Sequence, residues 1–215
     1  MKRKFGRLIH FDRRSRKYPI RALIALVAKP RSYTWACGIV LDQGNEPSCT
    51  GNAVCHEAAA RPVEVLGITE KIALAVYRRA QQLDEWPGEN YEGSSVLGAM
   101  KAGVERGWYK EYRWAFGEED LALAIGYKGP AVLGIHWYEG MMNPDKNGII
   151  HVTGKILGDH AILDNGISIV KDLYRLHQSW GRTWGINGEC FISRADMTRL
   201  LKEDGEACIP VIRAK

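Results

Sequence analysis

The sequence predicts an α+β fold with two lobes, because helical and strand-forming segments occupy different halves of the chain. Residues 49–128 show the apolar spacing and the end signals of helices. After Pro130 the pattern changes to short β-prone runs separated by Gly, Asn or Asp. Segregated helices and strands favour α+β over an alternating α/β architecture. A helical lobe facing a strand lobe would leave a cleft between them, where small sites usually form.

The chain has 215 residues and begins with a basic arm. Met1–Arg31 carries 11 Lys and Arg against one acid, a charge of +10, whereas the rest carries 19 basic and 24 acidic residues, a charge of −5. Residues 1–21 contain few apolar anchors, so we expect a mobile arm. Its charge suits non-specific contact with the phosphates of nucleic acid. A solvated tail that only aids solubility is the alternative.

Composition and targeting signals narrow the class of protein. With 46% hydrophobic and 26% charged residues, the chain is neither mainly disordered nor fibrous. It contains no apolar run of about 18 residues that could span a membrane. The short run Ala22–Ala28 lies far from Met1 and lacks a small-x-small cleavage site. We therefore expect a buried helix or strand there, not a secretory signal.

The cysteines indicate a reducing compartment. Their spacing is sparse and irregular, unlike a disulfide framework or a CxxC zinc site. With an odd number, at least one is unpaired. We expect a cytoplasmic location, in a bacterium or in an infected host cell. The five residues are Cys37, Cys49, Cys55, Cys190 and Cys208.

Four helices are predicted in the first half. Cys37–Leu41 precedes them as a short extended segment, and Asp42–Ser48 has the Gly, Asn and Pro of a loop. Thr69 and Ser94 or Ser95 are good N-caps, and Gly107 is a natural stop. The predicted helices are Cys49 to about Ala60, Thr69 to about Leu83, Ser94 or Ser95 to Gly107, and Glu118 to about Tyr127.

Five strands are predicted in the second half. They are Ala131–Ile135, Ile149–Val152, Ala161–Leu163, Ile167–Val170 and Glu189–Ser193. The predicted organisation is therefore an arm at 1–31 and a body at 32–215. Within the body we expect a helical lobe at about 49–128 and a β lobe at about 129–212.

Cys49 is the first candidate for chemistry, because it stands where a loop becomes a helix. The helix dipole and the free N–H groups there favour an anion, so we expect a lowered thiol pKa. Gln43 lies six residues earlier. A side-chain amide beside a helix-start N–H can form an oxyanion hole, which stabilises charge on a carbonyl oxygen. The alternative is that Cys49 is only a small buried hydrophobe.

His160 and Gln178 are the next candidates. His160 stands at the start of an apolar, strand-like run, where it could act as the base for a thiol. Gln178 could accept the imidazole N–H and hold one tautomer. Trp180 could cover that hydrogen bond and exclude water. Each of these side chains could equally be structural.

Together these segments resemble the papain-like cysteine peptidases, in their bacterial and phage-type form. The strongest matches are QGNEPSC at 43–49, GDHAIL at 158–163 and SWGRTWGINGE at 179–189. Weaker matches are EGSS at 92–95, which is similar to the family's substrate-groove segment, and GPAV at 129–132, which is similar to the strand that opens its β lobe. The resemblance covers roughly residues 36–195 and implies a two-lobed fold with the active site in the cleft.

The resemblance implies a role for each candidate. Cys49 would be the nucleophile and His160 the general base and acid. Gln43 and the Cys49 N–H would form the oxyanion hole, Gln178 would orient the imidazole and Trp180 would shield that bond. The reaction would be hydrolysis of a peptide or protein through an acyl-thioester. It would need neither a metal nor an organic cofactor.

The resemblance also assigns substrate-binding positions, and the chain departs from the family in one of the catalytic ones. Gly93, Ser94, Asp159 and Trp180 are expected to line the substrate groove. Gln178 stands where the family usually has Asn. The extra methylene is tolerated if the backbone adjusts, but it could lower activity.

Several alternatives stay open. The chain is predicted to be a cysteine endopeptidase. The rivals are a cell-wall amidase or transpeptidase with the same chemistry, and a catalytically inactive protein of this fold, for which Gln178 is the only support. Substrate class is decided in the groove, so the fold does not choose among them. Residues 1–48 lack the heptad-like helix of the family's inhibitory propeptides. Either latency is absent, or the basic arm is a short substitute.

Overall fold

A sheet of antiparallel strands forms the centre of the computed structural model, which describes residues 4–62, 64–84 and 91–213. Six strands follow the order β2-β7-β3-β4-β5-β6, and the short β1 pairs with β4. The strands are β1 Tyr33–Thr34, β2 Tyr109–Ala115, β3 Ala131–Tyr138, β4 Ile156–Ser168, β5 Leu173–His177, β6 Glu189–Ser193 and β7 Glu206–Arg213.

The four predicted helices are all present, and a further one follows the sheet's last hairpin. They are α1 Cys49–Ala59, α2 Glu70–Leu83, α3 Val96–Glu105, α4 Glu118–Tyr127 and α5 Arg194–Lys202. Among the described residues, no helix is both long enough and apolar enough to cross a membrane. The predicted α+β class is confirmed.

Helices cover both faces of the sheet. On one face, α1, α2 and α3 form a core with Val132 and Ala161, whereas the next residues, Leu133 and Ile162, belong to the core on the opposite face with α4. This alternation follows from the two-residue period of a strand. Every residue of α1 is buried, so the helix is held between α2 and the sheet. The first residue of α1 therefore has a fixed position relative to β4.

Several strands differ from the prediction. β2, β5 and β7 were not predicted, because their polar and charged residues mask the apolar pattern. β2 falls within the range expected for the helical lobe, yet it pairs with β7 in the sheet. The predicted strand Ile149–Val152 is wrong, since only Ile149 forms an isolated bridge, to Phe191. The predicted strand at 167–170 is cut short at Ser168, and Val170 is 94% exposed.

The expectation of a mobile arm is wrong from Lys4 onward, while Met1–Arg3 lie outside the described residues. Ile20 is fully buried against α4 and β2. The Trp114 backbone N–H donates to the Tyr18 carbonyl oxygen at 3.0 Å, and its indole N–H donates to the Ser15 hydroxyl at 2.9 Å. The arm is thus anchored through β2.

Four of the arm's eleven basic residues form ion pairs within the chain. Side chains of Lys4, Arg7, Arg14 and Arg21 each pair with a carboxylate. These ion pairs leave the proposed contact with nucleic acid without structural support. The segment Ala22–Ala28 is not the buried element we expected, since Leu26 and Val27 in it are each 88% exposed.

Ser95 offers a test of how α3 is held. Its side chain accepts a hydrogen bond from the Gly98 N–H at 2.8 Å, and it also donates to the Asp84 carboxylate. Ser95→Ala should therefore lower the free energy of unfolding by about 1–2 kcal/mol, measured by urea denaturation. Thr69 is a matched control, because this N-cap of α2 makes no side-chain capping bond. An equal loss in Thr69→Ala would contradict the capping role of Ser95.

Candidate active site

Cys49 lies at the N-terminus of α1, fully buried and ringed by backbone donors. Its Sγ accepts from the Ala161 N–H of β4 at 3.4 Å, and the nearby N–H groups of Gly6 and Thr50 also favour a negative charge on it. The N-cap Ser48 makes no side-chain cap, and its hydroxyl is occupied by the Asn52 amide at 3.1 Å. The first N–H groups of α1 are thus not capped by the Ser48 side chain and remain available to the sulfur.

His160 lies on β4, one residue before the backbone N–H that holds the sulfur. Its Nε2 is 2.7 Å from the Gln178 Oε1. An amide oxygen only accepts, so Nε2 carries the proton and Nδ1 keeps its lone pair. Nδ1 has no hydrogen-bond partner among the described residues. The imidazole is therefore in the tautomer that a general base needs, with Gln178 on one side.

Gln43 is oriented by a hydroxyl. Its Oε1 accepts from the Ser179 Oγ at 2.7 Å, which turns the NH₂ group the other way. That Nε2 donates to the Lys4 carbonyl oxygen at 3.0 Å and to the Glu46 carbonyl oxygen at 2.7 Å. A peptide carbonyl thus lies at the amide that was predicted to form the oxyanion hole.

Aromatic rings enclose the imidazole. The centroid of Trp180 lies 5.1 Å from that of His160, and Trp180 is fully buried. Trp137 packs edge-on against both rings, with centroids 5.0 Å from His160 and 5.2 Å from Trp180. Sequence reasoning did not find Trp137, because nothing in the β3 pattern separates it from an ordinary core residue. The rings exclude water from the bond between His160 and Gln178.

Residues Lys4–Leu8, which we call the plug, lie across this site. The Ser94 N–H donates to the Gly6 carbonyl oxygen at 2.8 Å, and the Leu8 N–H donates to the Ser94 carbonyl oxygen at 2.9 Å. On the other side, the Arg7 N–H donates to the Asp159 carbonyl oxygen at 3.1 Å. The predicted groove residues Ser94 and Asp159 therefore hold an extended peptide segment.

The plug fits closely at Gly6 and at Phe5. The Phe5 ring meets His160 edge-on, with centroids 5.8 Å apart. A Cβ on Gly6 would overlap the Pro47 carbonyl oxygen, and one on Gly93 would come within 2.9 Å of the Gly6 carbonyl oxygen. The predicted position Gly93 thus borders the plug, and residue 6 has room only for glycine.

Burial sets the titration of both candidate catalytic groups. It raises the pKa of the Cys49 thiol to about 11, although the surrounding N–H groups oppose the rise. It also lowers the pKa of His160 to about 4, against the effect of the hydrogen bond that the imidazole donates to Gln178. The expected lowering of the thiol pKa is therefore wrong for the plugged chain. At neutral pH the pair is a thiol and a neutral imidazole.

Cys37 and His177 form a second cysteine–histidine pair, but this histidine cannot act as a general base. His177 places Nε2 2.8 Å from the Ile39 carbonyl oxygen and Nδ1 3.2 Å from the Glu189 carboxylate. Both partners only accept, so both ring nitrogens carry protons. Although burial lowers the pKa of His177, hydrogen bonds with Cys37 and Glu189 raise it to about 9 overall. His177 has no lone pair for a base, which leaves His160 as the candidate.

Comparison with solved structures identifies the fold. Xylellain, a cysteine protease from Xylella fastidiosa, aligns with a TM-score of 0.74 at 20% identity over 99% of both chains. ProCathepsin B S9 from Trypanosoma congolense gives 0.65 at 15% identity, covering 98% of this chain and 87% of its own. Bromelain from Ananas comosus, solved with the inhibitor E64, gives 0.63 at 14% identity, covering 86% and 100%.

The chain therefore has the papain-like fold, as the sequence motifs indicated. No protein-family model and no curated protein matches the sequence itself. At these identities the likeness establishes the fold, and activity has to be argued from the site. No group of three or more metal-binding side chains occurs within residues 4–62, 64–84 and 91–213.

The buried imidazole predicts a pH dependence of stability. Because the pKa of His160 falls from 6.5 to about 4 on folding, the unfolded chain binds more protons between these values. Its contribution is therefore full above pH 6.5 and is lost as the pH falls toward 4. The free energy of unfolding should therefore fall between pH 6.5 and pH 4, which we call the acid limb of the stability curve. His160→Gln should reduce that fall by up to about 3 kcal/mol, measured by urea denaturation at each pH.

His177 is the matched control with the opposite sign. Its pKa rises from 6.5 to about 9 on folding, so its contribution is present below pH 6.5 and lost as the pH rises toward 9. His177→Gln should alter only the alkaline limb. If both variants changed the same limb, the assignment of the two protonation states would be wrong.

Proposed function

We propose that this chain is a cysteine endopeptidase held latent by its plug. The observation that carries the proposal is that Gln43, Cys49 and His160 all border one peptide segment, while Gln178 holds the far side of the imidazole. Gln43, Cys49, His160 and Gln178 come together from separate elements, and the plug lies over them. The solved relatives that are described as proteases share this fold.

The proposed chemistry uses each group in turn. Nδ1 of His160 takes the Cys49 proton, and the sulfur attacks the substrate carbonyl carbon to form a tetrahedral intermediate. Gln43 and the N–H of Cys49 stabilise its oxyanion. The imidazolium protonates the leaving amine, which breaks the peptide bond, and water then hydrolyses the thioester to return the free thiol. Gln178 holds the ring in place throughout.

The plug supports both latency and the endopeptidase type. It occupies the groove, buries the thiol and places its Lys4 carbonyl oxygen where a substrate oxygen would bind. The plug lies in the groove as an extended segment between Ser94 and Asp159, and on that basis we propose that the groove accepts a stretch of polypeptide, as an endopeptidase requires. We also propose a reducing, cytoplasmic location, which suits the five free cysteines.

Weakening the plug should expose the thiol. In Gly6→Ala the new methyl group overlaps the Pro47 carbonyl oxygen, so the plug must move away. We expect alkylation of Cys49 by iodoacetamide at about pH 7.5 to accelerate at least tenfold, because solvation lowers the thiol pKa. Hydrolysis of a denatured protein should rise in parallel. Mass spectrometry of the labelled peptide identifies the thiol.

Gly38→Ala is the matched control, since a Cβ there meets nothing within 4 Å. It should leave alkylation and hydrolysis unchanged. Adding Cys49→Ala or His160→Ala to Gly6→Ala should abolish hydrolysis. Fast labelling without hydrolysis of protein, but with cleavage of purified peptidoglycan, would favour the amidase. Slow labelling after the plug has moved would favour an inactive protein.

A further inference from the structure

We propose that Cys37 and the cavity it lines form a modification site, where a small anionic disulfide binds and forms a mixed disulfide with the Cys37 sulfur. The ligand class is a disulfide that carries carboxylates and N–H groups, as glutathione disulfide does. The site does not involve the candidate catalytic groups. The inference therefore stands independently of the proposed peptidase function.

Cys37 differs from the other cysteines in its exposure. It is half-buried and lines a cavity of about 290 Å³, whereas the other four cysteines are buried. That volume is close to the lower end of the range for small-molecule sites, about 300–1,000 Å³. A small reagent in solvent can therefore reach this thiol without a change in the fold.

The cavity lies apart from the candidate active site. It is formed by the chain around Cys37, by side chains of β5 and by the chain that leads into β6. Its lining includes none of Gln43, Cys49, His160 and Gln178, and no residue of the plug. A ligand can therefore enter while the plug stays in place.

The cavity carries an excess of positive charge. Arg175, Arg182 and the imidazolium of His177 line it, against the single carboxylate of Glu189. Glu189 pairs with both Arg175 and His177. Arg182 pairs with no carboxylate in the described part of the chain, and its Nη1 donates to the neutral Asn187 Oδ1 at 3.2 Å. Three cations around one carboxylate favour an anionic ligand.

The buried amide of Asn165 provides a second, independent sign of a ligand. Asn165 lines the cavity and is 1% exposed. Its NH₂ group donates to the Trp35 carbonyl oxygen and to the Glu189 Oε1, each at 3.3 Å. Its Oδ1 has no hydrogen-bond partner among the described residues. A buried acceptor without a donor costs free energy, so an N–H group of the ligand would stabilise the site.

His177 assists the exchange through its charge. It lies in the cavity wall with Cys37, and its positive charge attracts negative charge on that sulfur. The Cys37 thiol gives its proton to solvent, and its sulfur attacks one sulfur of the bound disulfide. A bond forms between Cys37 and that half of the ligand, the ligand's own S–S bond breaks, and the other half leaves as a thiolate that takes a proton from solvent. The Cys37 sulfur is oxidised and the leaving sulfur is reduced, so an added thiol reverses the step.

The test compares two disulfides of matched length and opposite charge, dithiodipropionate and cystamine. Each rate with the full chain is divided by the rate of the same reagent with an unstructured cysteine peptide. At low ionic strength this normalised rate should be about tenfold higher for dithiodipropionate, because the cations concentrate the anion. Glutathione disulfide, which adds N–H groups for Asn165, should react faster still. Mass spectrometry of the digested protein locates the adduct, which Cys37→Ser should remove.

Arg182→Gln should lower the ratio of the two normalised rates roughly threefold, since it removes the cation that no carboxylate neutralises. Arg78→Gln is the matched control, because Arg78 is exposed and lies outside the cavity. It changes the net charge equally and should keep the ratio. Equal normalised rates, an unchanged ratio in Arg182→Gln, or an adduct only on other cysteines would overturn the site. No gain with glutathione disulfide would overturn the part assigned to Asn165.

Discussion

The contact between the start of α1 and β4 is the constraint on which the site depends. Cys49 and His160 are far apart in sequence, and they come to the same region because the N–H of Ala161, the residue after His160, donates to the sulfur across 112 positions of chain. That contact is fixed on both sides, since α1 is buried along its whole length and β4 lies between β3 and β5. The packing of an apolar helix on a sheet thus sets the geometry of the thiol.

Burial has two opposite effects at this place. It excludes water from the hydrogen bond between His160 and Gln178 and so strengthens the contact that sets the imidazole tautomer. In the plugged chain it also keeps the Cys49 thiol protonated and the imidazole neutral, because both charged forms lose solvation. Both side chains are therefore held in their neutral forms while the plug covers them.

Local features of the sequence predicted much of the fold. The helices beginning at Cys49, Glu70, Val96 and Glu118 were predicted correctly, because helix caps and the helical spacing of apolar residues depend only on residues close together in the sequence. β7 was missed, since its buried Glu206 looks like a surface residue in sequence. Glu206 can be buried because it pairs with Arg7, which lies 199 positions away in the chain. Pairing over such a separation leaves no local pattern.

The basic arm shows the same limit of prediction from local sequence patterns. Counting charges treats Arg7 like every other cation of residues 1–31, and it favours a solvated or nucleic-acid-binding tail. The structure separates them by environment, because Arg7 is fully buried whereas the Arg14 side chain is 73% exposed. The motifs placed Cys49, His160 and Gln178 in one site, since each is tied to a short recognisable run.

The substitution of Gln for Asn at 178 was the single argument for an inactive protein, and the geometry weakens it. The longer side chain still brings its Oε1 to 2.7 Å from the His160 Nε2. That oxygen also accepts from the Ser179 N–H at 2.9 Å, which restrains the additional rotatable bond. Ser179 in turn donates its hydroxyl to Gln43. The extra methylene is thus absorbed by a connection between the group that orients the base and the group proposed to stabilise the oxyanion.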